Sequence, residues 1–297
     1  MANKNIKLGN VLISEESPVY LIAEIGINHN GDMQIIKRLI DSAFACDWNC
    51  VKFQKRVPEL SVPEEQKKII KDTPWGRLTY LDYKKKIELS KNDYDYINKY
   101  CAEKPISWTC SPWDIPSLEF ILNYDIPFIK IASATLTNYE LIKKASLSKL
   151  PLIVSTGMSN VDEVDKAVDV LERYSCGDYI LMHTNSAYPS NDNDLNLRCI
   201  NTLKQRYNCL VGYSGHEYDV NPTVVAATIG AKVIERHITV DHNMWGTDQK
   251  VSLEVRGMDY VSRRIKAIDR YLGNGHIEIT DSEIPVRKKL RIADEKN

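Results

Sequence analysis

Eight short apolar runs, each followed by a helical pattern, constrain the fold of this chain more than any other feature. The runs occupy residues 19–25, 50–53, 106–110, 128–132, 152–154, 179–182, 210–213 and 233–234, the last extending into His237. They are nearly continuous in apolar and β-branched side chains, as strands covered on both faces must be. Between the first two, Met33, Ile35, Ile36, Leu39, Ile40, Ala43 and Phe44 recur at three- and four-residue spacing. Asn160 and Glu163 form a capping pair ahead of the stripe Val161, Val164, Ala167, Val168 and Leu171. The same periodicity predicts helices over 94–101, 115–122, 139–145, 195–203, 222–229 and 258–271. Strand–helix alternation repeated eight times predicts an α/β protein, a closed (β/α)8 TIM barrel. An open doubly wound sheet is the alternative, but no Gly-x-Gly-x-x-Gly follows the first run.

Two additions to the plain barrel are expected. Residues 5–14 precede the first strand and fit a small hairpin closing the barrel bottom. The connection from the second strand to the third, roughly residues 55–105, is long and contains Pro58, Pro63 and Thr73-Pro74-Trp75-Gly76. Long loops on the C-terminal side of barrel strands usually carry function. The barrel domain is placed at 1–280, with a tail over 281–297.

Composition narrows the function classes. A net charge of −1 over 297 residues gives no electrostatic footprint for nucleic acid or an anionic membrane. No apolar run approaches the ~20 residues of a membrane-spanning helix. The polar start Met1-Ala2-Asn3-Lys4-Asn5, with no apolar stretch after it, predicts no secretory signal. The seven scattered cysteines form no Cys-x-x-Cys pair and read as reduced thiols of a cytoplasmic protein.

Barrel active sites lie at the C-terminal strand ends. There the chain places Glu24 to His29, Lys52 and Gln54, Ser111, Lys130 and Ser133, Ser155, His183 to Asn185, Ser214 to His216, and Glu235 to His237. A lysine in an apolar strand is costly unless paired. Lys52 and Lys130 together, with the hydroxyls of Ser111, Ser133 and Ser155, suit an anion that accepts several hydrogen bonds, such as a phosphate. His216 and His237 end adjacent strands, so their imidazoles converge on a site suited to Mn²⁺, Fe²⁺ or Zn²⁺ with open positions for substrate. A hydrogen-bonded pair of core histidines is the other reading. Asp248 follows the last strand closely enough to reach a metal-bound water or a substrate hydroxyl.

The chain resembles the sialic acid synthase family, the N-acetylneuraminate synthase-like enzymes. The resemblance is carried by Ile22-Ala23-Glu24-Ile25-Gly26-Ile27-Asn28-His29-Asn30-Gly31, Val51-Lys52-Phe53-Gln54, Lys130-Ile131-Ala132-Ser133, Ser155-Thr156-Gly157-Met158, Gly212-Tyr213-Ser214-Gly215-His216 and Glu235-Arg236-His237-Ile238-Thr239. It runs over about residues 18–280 in order. It implies a transferase that condenses phosphoenolpyruvate with a sugar aldehyde, N-acylmannosamine-like, to give a nonulosonic acid and phosphate. It implies that Lys52, Ser111, Lys130, Ser133, Ser155 and Ser214 hold phosphoenolpyruvate, with Asn185 and Gln54 also lining the substrate site. His216 and His237 would bind a divalent metal, Mn²⁺ first and Mg²⁺ or Co²⁺ as alternatives. Glu24, Tyr188 and Asp248 would face the sugar. A homodimer is the assembly that the resemblance suggests.

The chain departs from the family pattern in four places. Gly215 stands where the family has an aspartate, removing one carboxylate from the metal's surroundings. Gly246-Thr247-Asp248 replaces glycine–proline–aspartate, and Ser111-Pro112-Trp113 replaces threonine–proline–phenylalanine. Many members carry a C-terminal antifreeze-like domain that gives the sugar an arginine, whereas this chain ends at Asn297. The region of Trp75 and Arg77 is the expected substitute. Three other readings compete: a synthase acting on a phosphorylated aldose, a Schiff-base aldolase using Lys130, and a non-catalytic binding barrel. The phosphorylated aldose needs a second phosphate site, and no extra basic cluster stands at the strand ends.

Overall fold

The computed structural model describes residues 2–292. It contains β1 (Ile6–Leu8), β2 (Val11–Ile13), β3 (Tyr20–Gly26), β4 (Cys50–Lys55), β5 (Ile70–Thr73), β6 (Gly76–Thr79), β7 (Ser107–Pro112), β8 (Ile129–Ile131), β9 (Leu152–Ser155), β10 (Tyr179–Thr184), β11 (Leu210–Gly215) and β12 (Val233–His237). Eight of these form one parallel sheet in the order β7-β4-β3-β12-β11-β10-β9-β8. Its end strands β7 and β8 are consecutive, so the sheet curls into a nearly closed (β/α)8 barrel, the fold expected from the alternation. At the seam the Thr109 hydroxyl donates to the Phe128 carbonyl at 2.5 Å.

The barrel strands are buried along almost their whole length, which explains their unbroken apolar character in sequence. Below them, β1 and β2 pair antiparallel, with Ile6 opposite Ile13. Ile6, Leu8 and Ile13 pack with Tyr20, Phe128, Ile153 and Met182, so the hairpin plugs the barrel bottom as expected. Local rules set the helix starts. Asn160 and Glu163 form a full capping box before the helix Val161–Tyr174, and Ser90 and Asp93 do the same before Lys91–Glu103.

The long connection after β4 contains the antiparallel pair β5–β6 and the helix Tyr80–Ile87. Tyr83 and Ile87 pack with Ile27 and with Trp245, which lies in the loop after β12. The Tyr83 and Trp245 ring centres are 5.0 Å apart, edge to face. This lays the connection over the C-terminal end of β3, beside the barrel mouth. The helix expected over 195–203 instead runs Cys199–Tyr207, preceded by a short 3-10 turn at Asp192–Asp194.

The chain divides into two compact units, Met1–Lys266 and Ala267–Asn297. The second holds the end of the helix Val255–Leu272 and a short helix, Ile284–Leu290, with no buried residue. Of the tail expected over 281–297, residues 293–297 lie outside the described residues.

Candidate active site

A cavity of about 240 Å³ opens at the C-terminal ends of the barrel strands. Strand register builds it. Glu24 stands opposite His237 on one side and Lys52 on the other, Ser214 opposite Glu235, and Gln54 opposite Ser111. Side chains two residues apart share a face, so Glu235 and His237 both point inward. Arg236 between them points outward.

The cavity brings together Glu24, Lys52, Gln54, Ser111, Lys130, Ser133, Ser155, Tyr188, Ser214, His216 and His237 from the sequence-derived set. It does not bring in Asp248 or Asn185. Asp248 lies in the loop after β12, where its charge still bears on both Tyr188 and His237. Asn185 has a supporting place: its carbonyl accepts from His216 Nδ1 at 2.6 Å, and its Nδ2 donates to the Asp194 carbonyl at 3.1 Å. Arg77 is exposed on β6, 3.8 Å from Asp72, and Trp75 packs edge-on against Trp245 at 6.0 Å. Neither lines the cavity.

Glu235 is the main residue that sequence reasoning left out of the site. Its Oε1 is 3.3 Å from Lys130 Nζ and accepts from Ser214 Oγ at 3.1 Å, while its Oε2 is 3.7 Å from Lys52 Nζ. Lys52 also pairs with Glu24 at 2.6 Å and donates to Ser111 at 3.0 Å. Two buried lysines thus face two buried carboxylates, and the cluster is neutral. Burial works against the Glu235 carboxylate, but Lys130 and Lys52 outweigh it and hold the group down at about 2. Burial raises Glu24 to about 6, with Lys52 pulling the other way. One carboxyl is therefore fixed as the anion, and the other sits where it can exchange a proton near neutrality. The Ser155 hydroxyl is buried with no hydrogen-bond partner among the described residues.

His216 and His237 have ring centres 5.5 Å apart. The Asn185 carbonyl can only accept, so His216 carries its proton on Nδ1 and presents the Nε2 lone pair. Although 43% of Tyr188 is exposed, its hydroxyl reaches between the two rings, 2.8 Å from His216 Nε2 and 3.5 Å from His237 Nε2. Burial holds both imidazoles near 4, hence neutral at pH 7. Two neutral, converging nitrogens beside a substrate cavity fit a divalent cation that takes its remaining ligands from substrate.

Gly215 has a steric explanation. A Cβ there would lie 2.7 Å from both carboxylate oxygens of Glu217. That carboxylate accepts from Arg236 at 2.9 Å and Tyr213 at 2.8 Å, and every member of this network is buried. The space that an aspartate side chain would need is thus taken by Glu217, which pairs with Arg236 on the outer face of β12. Gly215→Asp is expected to cost about 3 kcal/mol, by overpacking and by placing two carboxylates together. Denaturant unfolding measures this, and a loss below about 1 kcal/mol would mean the network relaxes freely.

The buried histidines make stability depend on pH. His29, His216 and His237 are each lowered from 6.5 to about 4, chiefly by burial. Between those values the unfolded chain binds protons that the folded one does not, so stability falls as pH drops through that window. Glu24, raised from 4.5 to about 6, acts in the opposite sense, its contribution being lost as pH rises through 6. Three larger shifts outweigh one smaller one. Tm is expected to rise between pH 4.5 and 7 in scanning calorimetry, and a flat profile would contradict neutral burial of the imidazoles.

Known proteins are similar to this chain in sequence and in fold. The chain is 39% identical over 239 residues to N-acetylneuraminate-9-phosphate synthase of Drosophila melanogaster, covering 80% of this chain and 64% of that one. It is 32% identical over 278 residues to N,N'-diacetyllegionaminic acid synthase of Legionella pneumophila, covering 92% and 78%. Its fold superposes with a TM-score of 0.84 on the crystal structure of N-acetylneuraminic acid (sialic acid) synthetase from Leptospira borgpetersenii in complex with citrate, at 31% identity over 97% of this chain and 98% of that one. The profile of the NeuB family matches residues 39–277, a stretch that includes every cavity residue named above except Glu24. With that match over most of its length, the chain belongs to the NeuB family.

Proposed function

We propose that the chain condenses phosphoenolpyruvate with the open-chain aldehyde of an N-acylmannosamine-like sugar, giving a nonulosonic acid and phosphate. One observation carries this reading: a single cavity sets two buried lysines and five serines, among them Ser111, Ser133, Ser155 and Ser214, beside two neutral imidazoles. The first group suits an anion with several acceptor oxygens, the second a metal-bound carbonyl.

Lys52 and Lys130 take the phosphate and carboxylate of phosphoenolpyruvate, with Ser111, Ser133, Ser155 and Ser214 supplying hydrogen bonds. Ser155, free of other partners among the described residues, is the most available of these. His216 and His237 would hold a divalent metal, with Mn²⁺ the first to test and Mg²⁺ and Co²⁺ next, which would supply Lewis acidity to the aldehyde oxygen. The lysines and serines orient the enol carbon toward the aldehyde carbon, the largest contribution open to a two-substrate reaction. The new C–C bond forms between those two carbons. Water adds at the phosphate-bearing carbon, and phosphate departs by C–O cleavage. Glu24, raised to about 6 and 2.6 Å from Lys52, is placed to take the proton from that water. Tyr188 and Asp248 face the sugar.

The partners in this reading are two small molecules, with a homodimer as the assembly. No helix among the described residues is long and apolar enough to cross a membrane, and all seven cysteines are free thiols, which supports a cytoplasmic location. The test is phosphate release from phosphoenolpyruvate, with mass spectrometry of the product. Release is expected only with phosphoenolpyruvate, sugar and divalent metal all present, and a product mass equal to pyruvate plus the sugar. Absence of turnover across N-acylmannosamines and their phosphate esters would reject the reading.

A further inference from the structure

Arg236 and Glu217 are both wholly buried, and their ion pair lies outside the cavity. Taking two charges out of water is costly, and apolar side chains of similar volume often hold a fold as well or better. Stability alone therefore accounts poorly for this pair.

Its place in the chain accounts for it better. Glu217 directly follows His216, and Arg236 directly precedes His237. The pairing of β11 with β12 ends at Gly215, opposite Arg236. The sheet thus stops one residue short of the two imidazoles and does not itself set where His216 stands against His237. Beyond that point the Arg236 guanidinium makes the connection. Its Nη1 is 2.9 Å from Glu217 Oε1 and 2.7 Å from the Thr223 hydroxyl, and its Nη2 donates to the Glu217 carbonyl at 2.6 Å. Residue 217 is held by its side chain and its backbone together. Tyr213 and Thr223 hydroxyls, at 2.8 and 3.1 Å, complete the carboxylate's shell. Nη1 also reaches the Asp219 carbonyl at 3.2 Å, and Nη2 the Val251 carbonyl at 3.4 Å, in the turn that follows Asp248. A guanidinium is a rigid planar fork, so these contacts fix direction as well as charge.

We propose that Arg236 and Glu217 are positioning residues: their buried pair carries the β11–β12 contact past the end of the sheet and sets the spacing of the His216 and His237 imidazoles for a divalent metal. This rests on the reading of those histidines as the metal-holding pair. Gly215 belongs to the same device, because a side chain there would enter the space of the Glu217 carboxylate.

The test is the double variant Arg236→Met/Glu217→Leu, which removes both charges and keeps the volume. It is expected to melt within a few degrees of wild type, since neither charge is left unpaired. Its Mn²⁺ dissociation constant in equilibrium dialysis is expected to rise about 10- to 100-fold, the scale of removing a group that orients a metal ligand. Dialysis is run well below the variant's own Tm, so that a lowered Tm does not itself release metal. Wild-type affinity in the folded double variant overturns the proposal. Should the double variant not fold, Arg236→Lys, which keeps the charge and loses the fork, is read in the same way. Should wild type bind no Mn²⁺, the metal reading fails, and NMR of the histidine-labelled, metal-free chains decides the positioning separately. Wild-type His216 is expected as one tautomer, protonated on Nδ1 by its contact with the Asn185 carbonyl. Exchange between tautomers in the variant supports the positioning role, and an unchanged His216 spectrum overturns it.

Discussion

Lys130→Met is expected to lower kcat/KM for phosphoenolpyruvate by about 1,000-fold, the cost of truncating one partner of a buried charge contact. Lys130 is 2% exposed, and its ammonium is 3.3 Å from Glu235. Burial pulls its pKa down, Glu235 pushes it back, and the pair survives because each group supplies the other's missing solvent. When phosphoenolpyruvate enters, Lys130 is one of two cations available to it; methionine keeps the volume and removes the charge. The same change strands Glu235, with Lys52 at 3.7 Å as its nearest cation, and is expected to destabilise the fold by about 3 kcal/mol. A double variant separates the two effects. Lys130→Met/Glu235→Gln should recover most of the stability, since no uncompensated charge remains, and recover none of the activity. If the single variant keeps kcat/KM within about tenfold, Lys130 is a structural ion-pair partner and the anion is held elsewhere.

The eight barrel strands are legible because strands buried on both faces need unbroken apolar runs, and little else in a chain of this kind does. The bottom hairpin is legible for a related reason, since Ile6 and Leu8 are apolar at alternate positions of β1 and are buried with Ile13 of β2. The β5–β6 pair leaves no such trace. Ile70, Lys71 and Asp72 are exposed on both faces, so no two-residue period marks them. The helix at Cys199–Tyr207 is misplaced by sequence because Leu195 continues its apolar spacing. Leu195 lies in the loop before that helix and is buried for another reason: its carbonyl is held 2.6 Å from Nε2 of His183 on β10.

Most of the candidate site follows from strand ends, but two features of it and one beside the barrel mouth do not. Glu235 reads as an ordinary strand glutamate until its two-residue spacing from His237 places both on the inner face. Asn185, expected at the substrate, orients His216 through its backbone carbonyl, while its side chain is held by the Asp194 carbonyl and the Ala187 N–H. Lys84 sits in the run Lys84-Lys85-Lys86, which reads as a solvated helix face. The packing of Tyr80 and Tyr83 against it, a tertiary event, leaves one of the three buried.

His237→Ala is expected to abolish Mn²⁺ binding in equilibrium dialysis and to reduce kcat by about 1,000-fold, the scale of the several kcal/mol that a Lewis acid contributes. The expectation follows from geometry, because His216 alone cannot make a two-nitrogen site, and no group of three or more metal-ligating side chains exists among the described residues to replace it. Loss of activity alone would not identify a metal ligand, so the variant needs a second readout, and the pH dependence of stability provides one. In the wild type, His237 titrates near 4, and its neutral burial costs stability below pH 6.5. Alanine removes that cost. The drop in Tm from pH 7 to pH 4.5 should therefore be smaller in His237→Ala than in the wild type, whatever the variant's stability at pH 7. Tyr188→Phe is the companion variant, because the Tyr188 hydroxyl is the third group at the point where the imidazoles converge. It leaves both nitrogens in place and is expected to retain Mn²⁺ binding while raising KM for the sugar. If His237→Ala binds Mn²⁺ as tightly as the wild type, His216 and His237 are a buried structural pair, and the carbonyl must be activated by Lys52 or Tyr188 instead.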